Sequence, residues 1–238
     1  MLIVSMAVIA SRVGNIPAIL ANLAHQTRVP DKVLLYYSST PWHHDAGISR
    51  LVIPETELNV ELIRVPNCGS CRKYLFTIQK YFHTNASILL LDDDLVWNEH
   101  LIEILSDYQN KYQRVVGTRG WSEFQIVENA QGEKIFQRSP ETTISGKNII
   151  CPTEVTVTSS GWATMFYARD VHRSLFDFQL QKSVQLEYSD EIFLAAMLPK
   201  SKFIVPMPHI FFERIQTQTS LCRAAETLRA KALQASLL

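Results

Sequence analysis

The feature that most constrains this chain is the alternation, across residues 1–116, of short apolar runs with helix-patterned segments. Leu2 to Ile9, Val33 to Tyr37 and Ser87 to Leu91 are short and almost wholly apolar, as strands covered on both faces must be. Val60 to Val65 adds another strand, and Val115-Val116 starts a further one. Between them, Ile16, Ile19, Leu20, Leu23 and Ala24 recur on one helical face, with Asn15 placed to cap the helix, Pro17 in its first turn and an end near His25-Gln26. Tyr74, Leu75, Ile78, Tyr81 and Phe82 repeat the helical spacing, as do Leu101, Ile104, Leu105 and Tyr108. Strand and helix in alternation define βαβ units, so the expected fold is α/β and Rossmann-like, with a mostly parallel central sheet flanked by helices.

From Gly117 to Ser160 the period changes. Phe124 to Val127, a turn-like Asn129-Ala130-Gln131-Gly132, Lys134 to Gln137 and the alternating Val155-Thr156-Val157-Thr158 predict hairpins and hence an antiparallel extension. A mobile segment is expected near Pro140 to Lys147. Asp190 to Met197 reads as a helix, Phe203 to Val205 as a strand, and Thr219 to Leu238 as a terminal amphipathic helix. The 238 residues, 47% hydrophobic, suffice for one large domain. Its expected division is a ligand-binding half (1–116), a second half (117–218) and the terminal helix (219–238).

Charge narrows the partners. Lys plus Arg and Asp plus Glu are equal at 23 each, so no overall field steers the chain onto nucleic acid, and any phosphate site must be local. The apolar start, Met1 to Ala10, lacks a basic leader and is too short to span a bilayer, which favours a buried first strand over a signal segment, and the cysteine usage points to a reducing cytoplasm. Four cysteines do not make a disulfide framework; Cys68-x-x-Cys71 is compatible with half a zinc site or a redox couple, but no second ligand pair follows at regular spacing. Trp42, His43 and His44 form a polar-aromatic loop.

The run Ser87 to Leu91 stops in Asp92-Asp93-Asp94. Open α/β sheets deliver ligand-binding groups at the carboxyl ends of their strands. Three adjacent carboxylates repel one another until a cation neutralises them, and hard oxygen ligands select Mg²⁺ or Mn²⁺. The alternative is a solvated acidic turn.

Leu89-Leu90-Leu91-Asp92-Asp93-Asp94 resembles the DxD segment of GT-A glycosyltransferases, closest to family-2-like bacterial enzymes and the exostosin glycosyltransferase domain. The resemblance implies that Asp94 ligates the metal and that Asp92 faces the donor ribose or a metal-bound water. Asp93 counts among the donor-site residues, although strand alternation turns it elsewhere. Ala10-Ser11-Arg12 is similar to the opening of such enzymes, with Arg12 at the donor's base or diphosphate. Ser38, at the end of the second strand, stands where an acidic uridine-binding residue is common. Gly69 and Lys73, at a loop-to-helix junction, match the family's diphosphate loop. Gly161-Trp162-Ala163 resembles the acceptor-side segment, and Ser189-Asp190-Glu191 the acidic pair that opens a helix; the family's order is Glu then Asp, here reversed, so Glu191 and Asp190 are both candidates for the base. His209, after a later strand, stands where some relatives place a further metal ligand.

The resemblance implies metal-dependent transfer of a sugar from a nucleoside diphosphate donor, UDP-linked by first choice, to a hydroxyl of a glycan or lipid-linked glycan, with inversion. Two other readings stand beside it: a haloacid-dehalogenase-like phosphotransferase with Asp92 as nucleophile and Asp94 beside it, and a scaffold that binds nucleotide or glycan without turnover. The terminal helix is a candidate for contact with a second subunit or with the inner face of a membrane.

Overall fold

The computed structural model describes residues 1–43, 45–128, 134–138, 142–183, 190–207 and 213–215. His44, the 129–132 turn, His209 and the expected terminal helix lie outside the described residues.

In chain order the elements are β1 (Leu2–Ala7), α1 (Ile16–Ala24), β2 (Lys32–Tyr37), β3 (Val60–Arg64), α2 (Arg72–Tyr81), β4 (Ser87–Leu91), β5 (Leu95–Val96), α3 (Leu101–Tyr112), β6 (Val115–Gly117) and β7 (Arg119–Trp121). They continue with β8 (Phe124–Glu128), β9 (Lys134–Arg138), β10 (Thr143–Ser145), β11 (Thr153–Val155), β12 (Val157–Thr158), β13 (Trp162–Tyr167), α4 (Phe178–Ser183), α5 (Asp190–Met197), β14 (Lys202–Ile204) and β15 (Glu213–Arg214). The main sheet has eight strands in the order β11-β14-β6-β13-β4-β1-β2-β3. Strands β3, β2, β1 and β4 are mutually parallel, β13 enters antiparallel between β4 and β6, and β6 pairs in parallel with β14. This is the expected mostly parallel α/β sheet flanked by helices.

Strand alternation sorts the core into two layers. Leu2, Val4 and Met6 of β1, with Leu89 and Leu91 of β4, face α1 and α3. Ile3 of β1, with Ile88 and Leu90 of β4, faces Tyr74 and Ile78 of α2 and Phe193 and Leu194 of α5. Nearly all of these side chains are fully buried, which is why the runs that carry them read as continuous apolar stretches.

Three expectations of local structure differ from what the fold shows. Asn15 precedes α1 but makes no side-chain cap; its amide instead donates to the Asp93 carbonyl at 3.0 Å. Val155 to Thr158 is not one hairpin: β11 joins β14 in the main sheet, whereas β12 joins β7 and β10 in a separate three-stranded antiparallel sheet. Thr143 to Ser145, expected to be mobile, is strand β10, fixed by pairing with β7. The antiparallel extension itself is present, with β8 and β9 forming the predicted hairpin. Among the described residues no helix is long and apolar enough to cross a membrane.

Candidate functional site

The alternation of β4 carries on into the aspartates. Asp92 follows the parity of Ile88 and Leu90 and so reaches the α2 side, where Lys73 Nζ donates to its Oδ1 at 2.7 Å. Lys73 is 3% exposed and the Asp92 side chain 36%, so the pair sits at the floor of an open surface. Asp93 follows Leu89 and Leu91 to the α1 side and is buried; it accepts from Arg12 Nη1 at 2.7 Å and from the Ile9 N–H at 3.0 Å. Asp94 accepts the other arm of the same guanidinium, its Oδ2 lying 3.3 Å from Arg12 Nη2.

These contacts set the charges. Burial pushes the Asp93 carboxyl up to about 6, against the opposing pull of the Arg12 guanidinium and the Ile9 N–H. Burial disfavours the charged Arg12, but Asp93 and Asp94 outweigh it and the arginine is held more firmly protonated than usual. Asp93 is therefore bound into the wall, locking the end of β1 to the end of β4, while Asp92 and Asp94 flank it.

A second buried pair stands behind the first. Asp45 and Arg72 are 2% and 1% exposed and meet at 3.1 Å. Asp45 also accepts from the N–H groups of Ala10 and Gly47, each at 3.1 Å, and from the Asn67 amide at 3.3 Å. Arg72 Nε donates to the Gly69 carbonyl at 3.0 Å. Asp45 thus ties three loops together: the end of β1, the loop after β2, and the junction that opens α2. The Trp42 loop serves this arrangement through backbone bonds between Trp42 and Asp45. Ser38 is buried and its hydroxyl caps the Thr40 N–H at 3.1 Å. Little in the local sequence singles out Asp45 beyond its spacing to Gly47, whose φ of +79 marks a turn in the structure.

The third component is the turn from Ser159 to Ala163. Gly161 packs directly on Asp92: a Cβ there would lie 1.9 Å from Asp92 Oδ2. Its carbonyl accepts the Asp92 N–H at 3.3 Å. Ala163 is in the left-handed region at φ +60, within a register shift of β13 between Trp162 and Thr164. A non-glycine residue held there costs about 1 kcal/mol or more, tolerated because the Thr118 hydroxyl and N–H bind the Trp162 and Ala163 carbonyls. Trp162 is half-buried with the Arg119 guanidinium 4.5 Å over its ring. On the far side of the turn, the Ser159 hydroxyl donates to Glu191 Oε1 at 2.6 Å. Asp190 opens α5; its side chain lies outside the described residues.

The fold therefore brings together Arg12, Lys73, Asp92, Asp93, Asp94, Gly161 and, through Ser159, Glu191. Ser38 and Gly69 stand in the adjoining wall. Among the described residues no group of three or more His, Cys, Asp and Glu side chains is arranged to hold a metal ion by itself.

The architecture, a mostly parallel central sheet flanked by helices with a small antiparallel sheet beside it, is a GT-A-like α/β fold. The sequence matches no family model and no curated protein. In structure it is similar to Staphylococcus aureus TarS 1-349 in complex with UDP-GlcNAc, with a TM-score of 0.52 and 10% identity over 92% of this chain and 60% of that one. The chain thus spans about three-fifths of that TarS segment. Fainter likenesses extend to 4-diphosphocytidyl-2C-methyl-D-erythritol synthase from Anaerococcus prevotii (TM-score 0.49, 8% identity, 96% of this chain and 98% of that one). A putative glucose-1-phosphate thymidylyltransferase from Bacillus anthracis gives 0.47 and 8%, over 96% and 94%. At such identities the likeness is one of fold alone.

Proposed function

We propose that this chain is a metal-dependent glycosyltransferase that moves a sugar from a nucleoside diphosphate donor, UDP-linked by first choice, to a glycan hydroxyl with inversion. The observation that carries the reading is the Ser159–Ala163 turn: one side closes on Asp92, at the carboxyl end of β4, and the other holds Glu191. A donor-side carboxylate and a candidate base thereby both contact one short turn.

Each residue has a role on this reading. Lys73 and Arg12 bring cationic donors to the end of β4, where Asp92 and Asp94 present the hard carboxylate oxygens that a divalent ion takes. Mg²⁺ and Mn²⁺ sites of this kind need only one or two carboxylates plus phosphate oxygens from the substrate, so Asp94 and Asp92 fit as the ligands, with His209 as the further candidate. The ion supplies neutralisation of the departing diphosphate. Glu191, oriented by Ser159, accepts the proton of the attacking hydroxyl. Gly161 leaves room for Asp92, and Trp162 offers an apolar ring face to a sugar on the acceptor side.

The test is thermal unfolding with a panel of nucleoside diphosphates, with and without Mn²⁺. A ligand at 100 times its Kd stabilises the native state by about 2.7 kcal/mol. UDP is expected to raise the midpoint only with metal, and Asp94→Asn to abolish the rise. Absence of any shift in the unsubstituted protein, under every metal condition, would sink the reading.

A further inference from the structure

The donor site leaves unused the pair Cys68-x-x-Cys71, on the turn that leads into Arg72 and Lys73. Both are thiols, Cys68 half-exposed and Cys71 fully buried. The Cys71 S–H donates to the Cys68 carbonyl at 2.6 Å, so the inner thiol already lies against the backbone of the outer one. Gly69 to Cys71 form a single tight turn, across which Cα atoms three residues apart approach to under about 7 Å. A disulfide spans roughly 4.4–6.8 Å between Cα atoms, so a turn of this size can close one. Gly69, at φ +69, supplies a backbone pivot between the two cysteines. A structural zinc ion needs four ligands, and among the described residues no further His, Cys, Asp or Glu completes such a set with the pair.

We propose that Cys68 and Cys71 are a reversible thiol–disulfide pair whose state sets the conformation of the turn that leads into Arg72 and Lys73. Exposure fixes the order of events. The Cys68 thiolate attacks a low-molecular-weight disulfide, forming a mixed disulfide and expelling one thiolate. The Cys71 thiolate then attacks the Cys68 sulfur, forming the internal bond and expelling the second. Two protein thiols are oxidised, the external disulfide is reduced to two thiols, and the two protons released end on those leaving groups. To bond, Cys71 Sγ must swing off the Cys68 carbonyl, and the turn must tighten. The Gly69 carbonyl held by Arg72 Nε and the Lys73 amine on Asp92 are the contacts adjoining that movement.

The experiment uses the full chain carrying Cys151→Ser and Cys222→Ser, so that only this pair reacts. After exposure to oxidised glutathione, the tryptic peptide Val65–Arg72, which holds both cysteines, is expected to lose two hydrogens, retain no glutathione, resist alkylation and recover on reduction. Cys68→Ser should leave the buried thiol unreacted, and Cys71→Ala should trap glutathione on Cys68, which keeps the test decisive if either variant folds poorly. Full alkylation of both thiols after treatment, or a stable glutathione adduct on Cys68 with Cys71 present, overturns the pair. Amide exchange across residues 69–76 should differ between the two states by on the order of 5–150-fold, the usual span of a coupling between sites. Equal exchange in a protein whose disulfide has formed overturns the conformational consequence.

Discussion

A single methyl group at Gly161 tests how the site is held. The Cβ of Gly161→Ala would sit 1.9, 2.4 and 2.7 Å from Asp92 Oδ2, Cγ and Oδ1, whereas ordinary contact begins near 3.4 Å. The carboxylate must retreat by about 1.5 Å, and with 36% of that side chain exposed it has room to do so. The cost is the 2.7 Å contact with Lys73, which is buried. Breaking a fully buried pair costs about 3–5 kcal/mol. Solvent at the Asp92 end reduces this, and the stiffer unfolded chain of alanine returns about 0.4–1 kcal/mol, leaving an expected loss of about 1–2 kcal/mol. Urea denaturation of a double-mutant cycle isolates the cause: in an Asp92→Ala background the same glycine substitution meets no carboxylate and should be neutral or slightly stabilising, a coupling of about 1 kcal/mol or more. Equal losses in both backgrounds, at unchanged m value, would refute the steric argument.

Other perturbations address other links. Asp45→Ala removes the partner of fully buried Arg72 and should destabilise by about 3–5 kcal/mol in the same urea assay, far beyond a surface aspartate such as Asp107. Glu191→Gln should lower turnover by about 10²–10⁴ while leaving the metal-dependent UDP shift intact; loss of both together would count against its role as base. Burial pushes the Tyr36 hydroxyl from 10.0 to about 12, so the protonated form is favoured in the native state. Its contribution, up to about 2–3 kcal/mol, is fully present below pH 10 and lost as pH rises toward 12, and Tyr36→Phe should flatten the decline of urea midpoint over that window.

Much of this architecture is legible residue by residue. The runs in β1, β2 and β4 are apolar because both faces of each strand are covered, and period-two alternation then sends Asp92 and Asp93 to opposite sides of the sheet. That the three aspartates end a central strand also follows from local pattern. Strand β13 is not among the strands expected from the sequence, and nothing local says that it inserts antiparallel between β4 and β6. Likewise, Val155 to Thr158 alternates as strands do, yet its two halves join different sheets.

What the sequence by itself determined, then, is the strands and helices of β1 to β4 and α1 to α3 and the side to which the β1 and β4 side chains turn, since these depend on neighbours two to four residues away. Only the tertiary structure decided that Asn15 serves Asp93 rather than its own helix, that Asp45 lies against Arg72, that Gly161 clears Asp92 and that Ser159 holds Glu191. Each of these contacts joins segments far apart along the chain. Its free energy exists only after the intervening loops have closed and water has been excluded, so no local periodicity carries its trace.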